Sequence, residues 1–405
     1  MTPKLPAIPT QVVWPGKLRD DGTPHPPPEV VFPPKIREIH GDTPPGGQGA
    51  NTLFWGDNLL ALGALLETHQ GKVNLLYIDP PFATGGRFFF SAPIGKEGLT
   101  RAVGRRHSSE RAYEDAFGGS GGERYLAMMW DRLRLMHRLL APGGSLFLHC
   151  DWHQGHLLRG LLDEIFGPDN FLNEIIWYYY NKLQGNVNHF ARNHDQLLWY
   201  RKGSPHQFQR LEEPRPDGPV KQLVRVWDRD KQAMVNARGP DGKVVYRERP
   251  NRTVDDVWRL PMLQPADKKE RCGYPTQKPK TLLRRVLAAA SEPGDLVADL
   301  FCGSGTTLQV AEELGRRWVG CDLGRWAIHL TRKRLLSVEG AQPFQIVTFG
   351  APQRRFWLLG PEACLTVGAG EERQRVARAR ALYTERMCAL HGADVAAAEQ
   401  THVHQ

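Results

Sequence analysis

Asn74-Leu-Leu-Tyr-Ile-Asp-Pro-Pro-Phe82 decides how the rest of the chain is read. The run from Val73 to Ile78 lacks the polar alternation of a half-exposed strand, so it predicts a strand buried on both faces of a parallel sheet. Pro80 and Pro81 cannot donate ladder hydrogen bonds, so the strand must stop at Asp79. The prolines also stiffen the backbone beyond it. They hold the Asp79 carboxylate, a proline carbonyl and the Phe82 ring at the carboxyl end of a strand, where open α/β sheets bind ligands. A strand closed by a Pro-Pro turn with a capping Asp would read the same over these four residues. The distinction comes from further along the chain.

Upstream, Asn51 to Asp57 predicts a short strand ending in Gly-Asp, and Asn58 to Glu67 carries Leu59, Leu62 and Leu66 at helical spacing. Strand, helix and the Asp79 strand form one parallel crossover unit. Residues 1–50 are dense in proline (Pro24-His-Pro-Pro-Pro28, Pro44-Pro-Gly-Gly-Gln-Gly49) and read as an arm laid over the body or partly disordered. Downstream, Ala83 to Gly122 has little apolar periodicity and holds Phe88-Phe-Phe90 and the basic run Arg101 to Arg111. A segment of this length directly after Phe82 reads as a mobile loop over an active site.

Arg124 to Leu140 predicts an amphipathic helix, Ser145 to His149 a buried strand, Leu157 to Phe166 a helix, and Glu174–Tyr180 and Gln196–Tyr200 two strands. His149, Cys150, Asp151, His153 and His156 look like a metal box, but their spacing matches no standard zinc pattern, so no metal site is expected. Residues 201–262 lose periodicity and gain Lys, Arg, Pro and Gly, with strand-like pieces at Leu223–Trp227 and Lys243–Tyr246. They read as a small basic insertion suited to a polyanionic ligand. The α/β pattern resumes in residues 263–350, with helices Thr281–Ala290, Leu308–Leu314 and Trp326–Leu336 and strands Leu296–Leu300 and Trp318–Asp322. Residues 351–405 form an extension with an Arg/Ala-rich helix expected over Glu371 to Leu390.

The 405 residues exceed one typical domain, and 40% hydrophobic with 24% charged content describes a globular protein. No apolar run reaches the length of a membrane span and no signal sequence opens the chain, so no membrane partner and a cytoplasmic location are expected. The six cysteines include no CxxC pair, which argues against zinc or a disulfide framework. A formal net charge of +9 suits nucleic acid.

The second informative stretch is Phe301-Cys-Gly-Ser-Gly-Thr-Thr307, a turn from strand into helix where Gly303 and Gly305 let the backbone approach a ligand. Asp322 closes the next strand at the spacing from which an acid accepts hydrogen bonds from ribose hydroxyls. A nicotinamide cofactor would use the same logic, but the turn is not GxGxxG, and no lysine comes after it as in a phosphate loop. A turn without pyrophosphate-cradling glycines suits a nucleoside cofactor without phosphates, S-adenosylmethionine.

Taken together, Trp55-Gly-Asp-Asn58, Tyr77-Ile-Asp-Pro-Pro-Phe82, Asp255-Asp-Val-Trp258, Gly273-Tyr-Pro-Thr-Gln-Lys-Pro279 and Asp299-Leu-Phe-Cys-Gly-Ser-Gly-Thr-Thr307 resemble a β-class amino-methyltransferase of DNA, similar to the modification subunits of type III-like restriction systems. The resemblance covers about residues 51–345. It implies a Rossmann-like S-adenosylmethionine-dependent α/β fold in circularly permuted order, with residues 51–200 as the catalytic half, 201–262 as a target-recognition region and 263–350 as the cofactor half. It implies Asp79, Pro80, Pro81 and Phe82 as the catalytic set. For the cofactor it implies Asp57 at the adenine, Lys278 near the methionine end, and Asp299, Phe301, Gly303, Ser304, Gly305, Thr306 and Asp322 around the turn. Asp at the first position of the tetrapeptide resembles the adenine-N6 enzymes more than the N4-cytosine ones. Phe82 stands where tyrosine is commoner, and Leu300 where proline is common. Double-stranded DNA is the expected partner, with a second copy of the chain or a restriction subunit left open. N4-cytosine methylation, an RNA substrate and a non-catalytic nucleotide-binding protein are the competing readings.

Overall fold

The computed structural model describes residues 11–28, 33–42, 51–82, 122–182 and 188–350, together with the backbone of the strands Arg87–Pro93 and His107–Glu114. Ten strands make the central sheet: β1 (Lys35–His40), β2 (Asn51–Trp55), β3 (Val73–Ile78), β4 (Leu140–Cys150), β5 (Phe171–Tyr178), β6 (His194–Arg201), β7 (Val257–Arg259), β8 (Leu296–Asp299), β9 (Arg317–Asp322) and β10 (Phe344–Thr348). Their spatial order is β1-β10-β2-β9-β8-β3-β4-β6-β5-β7. The six strands from β10 to β4 are mutually parallel, β1 pairs antiparallel at one edge, and β4 with β6 and β6 with β5 pair antiparallel. The flanking helices are α1 (Asn58–His69), α2 (Gly122–Leu139), α3 (Gly155–Phe166), α4 (Lys280–Ala290), α5 (Thr306–Glu313) and α6 (Arg325–Leu335).

Two cores sandwich the sheet, which explains why its strands read as continuous apolar runs. On β3, Leu76 and Ile78 face the core built with α1, α2 and α3, while Leu75 and Tyr77 face the one built with α4, α5 and α6. The period of two in side-chain direction is preserved; what is missing from the sequence is a polar face. Fully burying each such side chain contributes roughly 1.5–3 kcal/mol. Helix α1 starts where it does because Asp57, in extended conformation, accepts a hydrogen bond from the Leu59 amide at 2.7 Å. A cap of this kind is worth about 1 kcal/mol.

The connections fix where a ligand can sit. From β8 the chain passes through α5 to β9 on one side, and from β3 it passes through α2 to β4 on the other, with α5 and α2 on opposite faces. Between β8 and β3 the sheet therefore has its topological switch point, and a crevice opens beyond the carboxyl ends of these strands. Asp79 comes directly after β3, Asp299 ends β8 and Asp322 ends β9.

The structure corrects several boundaries. Residues 35–40 of the arm are a strand, β1, on the sheet edge, and Trp14 of the same arm is buried against Trp130. Strand β10 completes the sheet beyond α6. Part of the segment 83–122 is a ribbon in which Arg87–Pro93 pairs with His107–Glu114. In 201–262, three largely exposed two-stranded ribbons pair Glu212–Pro214 with Asn251–Thr253, Val220–Leu223 with Tyr246–Arg249, and Arg225–Asp228 with Ala233–Asn236. The strand expected at 243–246 thus lies at Tyr246–Arg249, and the one expected at 223–227 is interrupted at Val224. The helix expected over 371–390 lies outside the described residues.

Candidate active site

Asp79 is held where β3 runs out, half-buried, with Pro80 buried behind it and Pro81 and Phe82 half-buried at the crevice. Its Oδ2 receives the Lys278 ammonium at 2.6 Å. The same ammonium lies 5.2 Å from the centroid of the Phe82 ring. Lys278 gets there because its neighbours hold the loop: Gln277 bonds the Cys272 amide and the Glu270 carbonyl, and Pro279 caps α4.

Behind Phe82 lies a polar relay that sequence reasoning does not assemble. His149, fully buried at the end of β4, bonds the Tyr77 hydroxyl through Nδ1 at 2.8 Å and the Asp195 carboxylate through Nε2 at 3.1 Å. Its ring centroid is 6.0 Å from that of Phe82. Tyr179 donates to the other oxygen of Asp195 at 3.3 Å. Burial works to raise the Asp195 carboxyl, but the His149 and Tyr179 bonds and the nearby Lys278 charge bring it below its ordinary value. Burial also pushes the Tyr77 hydroxyl well up, so it stays a neutral partner. The one signal in the sequence that points to this relay is a histidine ending the strand next to β3.

Across the switch point, β8 turns into α5 through two glycines in left-handed conformation, Gly303 at φ +50° and Gly305 at φ +74°. The Gly303 amide donates to Asp322 Oδ2 at 2.8 Å and the Gly324 amide to Oδ1 at 2.7 Å, so Asp322 joins the turns after β8 and β9. A Cβ on Gly303 would meet the Tyr274 ring at 3.3 Å; on Gly305 it would lie 2.5 Å from the Thr331 hydroxyl. Gly305 is thus required by packing inside the protein, and Gly303 sits where the turn meets Tyr274. Ser304 and Thr306 are buried and turn toward Arg334, whose Nη1 bonds the Ser304 carbonyl and hydroxyl, both at 3.1 Å, and the Thr306 hydroxyl at 2.9 Å. Phe301 is half-buried and packs against the α1–α3 core.

Asp299 is buried; its Oδ1 accepts from the Phe301 amide at 3.1 Å. Burial, with the Asp79 and Asp322 charges added, pushes its carboxyl up to about 7, and burial pushes Asp322 up to about 6. Asp57 is engaged by Arg132, which reaches Oδ1 at 3.0 Å and Oδ2 at 3.2 Å besides the α1 cap. Asn58 then ties this corner to the crevice by donating to the Leu300 carbonyl at 2.9 Å. The structure brings Asp79, Phe82, Lys278, Asp299 and Asp322 to one end of the sheet and gives Asp57, Ser304 and Thr306 partners within the protein. Among the described residues no cluster of His, Cys, Asp and Glu is arranged to hold a metal ion, and no helix is long and apolar enough to cross a membrane.

The sheet thus sets a Gly-rich turn, tied to the acid that ends the next strand, across the switch point from an Asp-Pro-Pro-Phe strand end. Residues 73–333 match the DNA methylase family N6_N4_Mtase, and the chain belongs to that family. The type II methyltransferase M.EcaI of Enterobacter cloacae is 28% identical over 331 residues, spanning 70% of this chain and 69% of that protein. The DNA adenine methyltransferase YhdJ of Escherichia coli (strain K12) is 25% identical over 291 residues, spanning 71% and 84%. The Mod subunit of the type III restriction-modification enzyme EcoP15I of Escherichia coli is 29% identical over 155 residues, spanning 37% of this chain and 24% of that protein. The chain is a DNA methyltransferase of this family.

Proposed function

We propose that the chain methylates the exocyclic N6 of adenine at specific sites in double-stranded DNA, with Asp79, Pro80, Pro81 and Phe82 holding the flipped-out base. The observation that carries this is the position of Asp79 at the carboxyl end of β3, across the switch point from the glycine turn that ends β8. Asp at the head of the tetrapeptide, and similarity to a DNA adenine methyltransferase over most of both chains, support adenine over cytosine.

The cofactor pocket is proposed around Gly303, Asp322, Asp299 and Phe301, with Ser304, Gly305 and Thr306 keeping the turn in shape and Asp57 at its margin; Lys278, expected from the resemblance near the methionine end, is paired with Asp79. The donor set suits the ligand, since a sulfonium and an α-ammonium are cations and Asp299 and Asp322 are buried carboxyls at this end of the sheet, Asp322 acting on Asp299. S-adenosylmethionine, when bound, supplies the electrophilic methyl group. The chain's own residues do the rest. An amino group conjugated to a base ring is a poor nucleophile, because its lone pair is delocalised. Asp79 and the Pro80 carbonyl accept its two hydrogens and draw the nitrogen toward tetrahedral geometry, so that the lone pair points along the line of displacement. Holding this alignment supplies much of the rate, and the Asp79 carboxylate stabilises the charge that develops on nitrogen. Flipping the base costs a few kcal/mol. Stacking on Phe82 returns roughly 1–3 kcal/mol.

The ribbons of 201–262 are proposed to read the target. They carry fourteen Lys and Arg against nine Asp and Glu and expose Trp227 and Tyr246. A restriction subunit is a proposed partner by similarity to a Mod subunit. The test is mass spectrometry of nucleosides from DNA incubated with protein and S-adenosylmethionine. N6-methyladenine is expected; N4-methylcytosine would move the assignment to the other base, and methylation of RNA alone would overturn it.

A further inference from the structure

We infer that Lys278 is a positioning residue for the target base rather than a ligand of the cofactor. It orients the Asp79 carboxylate and fixes the Phe82 face. The inference rests on the methyl-transfer reading of the site and assigns to Lys278 a role that the segment Thr276-Gln-Lys-Pro279 does not disclose by its sequence.

The geometry is specific. The ammonium binds Asp79 Oδ2 at 2.6 Å, with both side chains largely shielded, Lys278 13% and Asp79 17% exposed. It also lies over Phe82 at 5.2 Å, within cation–π range. Its charge reaches Asp195, the anchor of His149, whose ring neighbours Phe82. These groups belong to the β3, β4 and β6 side of the crevice. The glycine turn is tied instead by Asp322, Thr331 and Arg334.

A carboxylate has two oxygens, and here they divide the work. With Oδ2 in the ion pair, Oδ1 lies outside it, and Oδ1 with the Pro80 carbonyl makes the pair of acceptors that an amino group with two hydrogens needs. A carboxylate free to rotate would offer either oxygen in many orientations. One held by an ammonium at 2.6 Å offers one. Misplacement of a reacting group by about 1 Å can cost on the order of 100-fold in rate. Lys278 also offsets a local surplus of negative charge, since Asp79 acts on the buried Asp299. The ammonium also holds the Phe82 ring from one side, at 5.2 Å from its centroid.

The test compares Lys278→Met, which keeps the apolar stem and removes the charge, with Lys278→Arg, which keeps the charge. S-adenosylmethionine affinity is measured by calorimetry, and kcat and the KM for cofactor by transfer of labelled methyl to DNA with cofactor varied up to saturation. For Lys278→Met the expected result is a fall in kcat of about 100-fold, with cofactor Kd and cofactor KM within threefold of wild type (~3) and partial recovery of kcat in Lys278→Arg. A rise of tenfold or more in cofactor Kd (~10) with kcat retained at saturation would overturn the assignment and return Lys278 to the cofactor. Unchanged kcat and unchanged affinity in an active protein would overturn it as well. Wild-type protein that transfers no methyl group to DNA would instead overturn the parent reading, and this inference with it.

Discussion

Gly305→Ala separates what the glycine turn needs for folding from what it needs for binding. The residue caps α5 at φ +74°, and a Cβ there would lie 2.5, 2.6 and 2.8 Å from Oγ1, Cγ2 and Cβ of Thr331. The left-handed conformation costs an alanine roughly 1–2 kcal/mol. Forcing a methyl group against a packed threonine costs typically about 1–3 kcal/mol more. The expected loss of stability is therefore about 2–5 kcal/mol, a large share of what a folded domain has to spare. Thr331 cannot simply move aside, because its hydroxyl donates to the Gly303 carbonyl at 3.1 Å. Urea unfolding followed by circular dichroism measures the loss. Combining Gly305→Ala with Thr331→Ala removes Oγ1 and Cγ2 but leaves the Cβ at 2.8 Å, so it should recover only part of the packing share and none of the conformational share, less about 1 kcal/mol for the lost hydrogen bond. Gly303→Ala, whose Cβ would meet only the edge of Tyr274 at 3.3 Å, should unfold less readily than Gly305→Ala. A Gly305→Ala protein with the wild-type midpoint would refute the packing argument.

Cofactor affinity should depend on pH with a defined sign. The Asp299 carboxyl near 7 and the Asp322 carboxyl near 6 are protonated at low pH, and a cationic ligand favours their ionised forms, so S-adenosylmethionine should bind more tightly as pH rises from about 5.5 to 7.5 and level off above. Without cofactor the same carboxyls act oppositely on folding. Their folded values are raised above the ordinary one, so the native state holds protons that the unfolded chain has released, and each group lowers stability by up to about 1.4 kcal/mol per pH unit as pH rises from 4 toward its folded value. Calorimetry and thermal melting across that range check both signs; affinity that falls with rising pH would contradict the first. Exchanging residues 201–262 for the equivalent segment of a relative with another target should change the methylated sequence, read by mapping modified bases. An active chimera that keeps the original target would remove the ribbons from recognition.

What the sequence reveals and what it hides have physical causes. Strands β3, β4, β8 and β9 are legible because both faces of each are buried, which leaves apolar runs with no other use. Lys35–His40 is not, because an edge strand pairs on one side only and here exposes Ile36 and Ile39 among charged residues. The glycine turn and its closing acid are legible from spacing. Arg334 is hidden: within Thr331-Arg-Lys-Arg334 it reads as a solvated helix face, yet it is buried and binds Ser304, Thr306 and Gln309. His149 stands out only as a member of a metal-like cluster, because its partners Tyr77 and Asp195 come from distant parts of the chain. Lys278 is visible as part of a segment, but pairing across a crevice cannot be read from the order of residues.

Asp79 carries the central claim, and one comparison tests it most directly. Transfer of labelled methyl to DNA, with N6-methyladenine scored in the product, is measured for wild type and Asp79→Ala beside calorimetric binding of S-adenosylmethionine and thermal melting. If Asp79 holds the target amino group, methyl transfer is abolished while cofactor binding stays near wild type and the protein remains folded at the assay temperature. If Asp79 only closes the turn after β3, the change costs on the order of 1 kcal/mol of stability and the variant methylates adenine at a rate comparable to wild type, which would contradict the central claim.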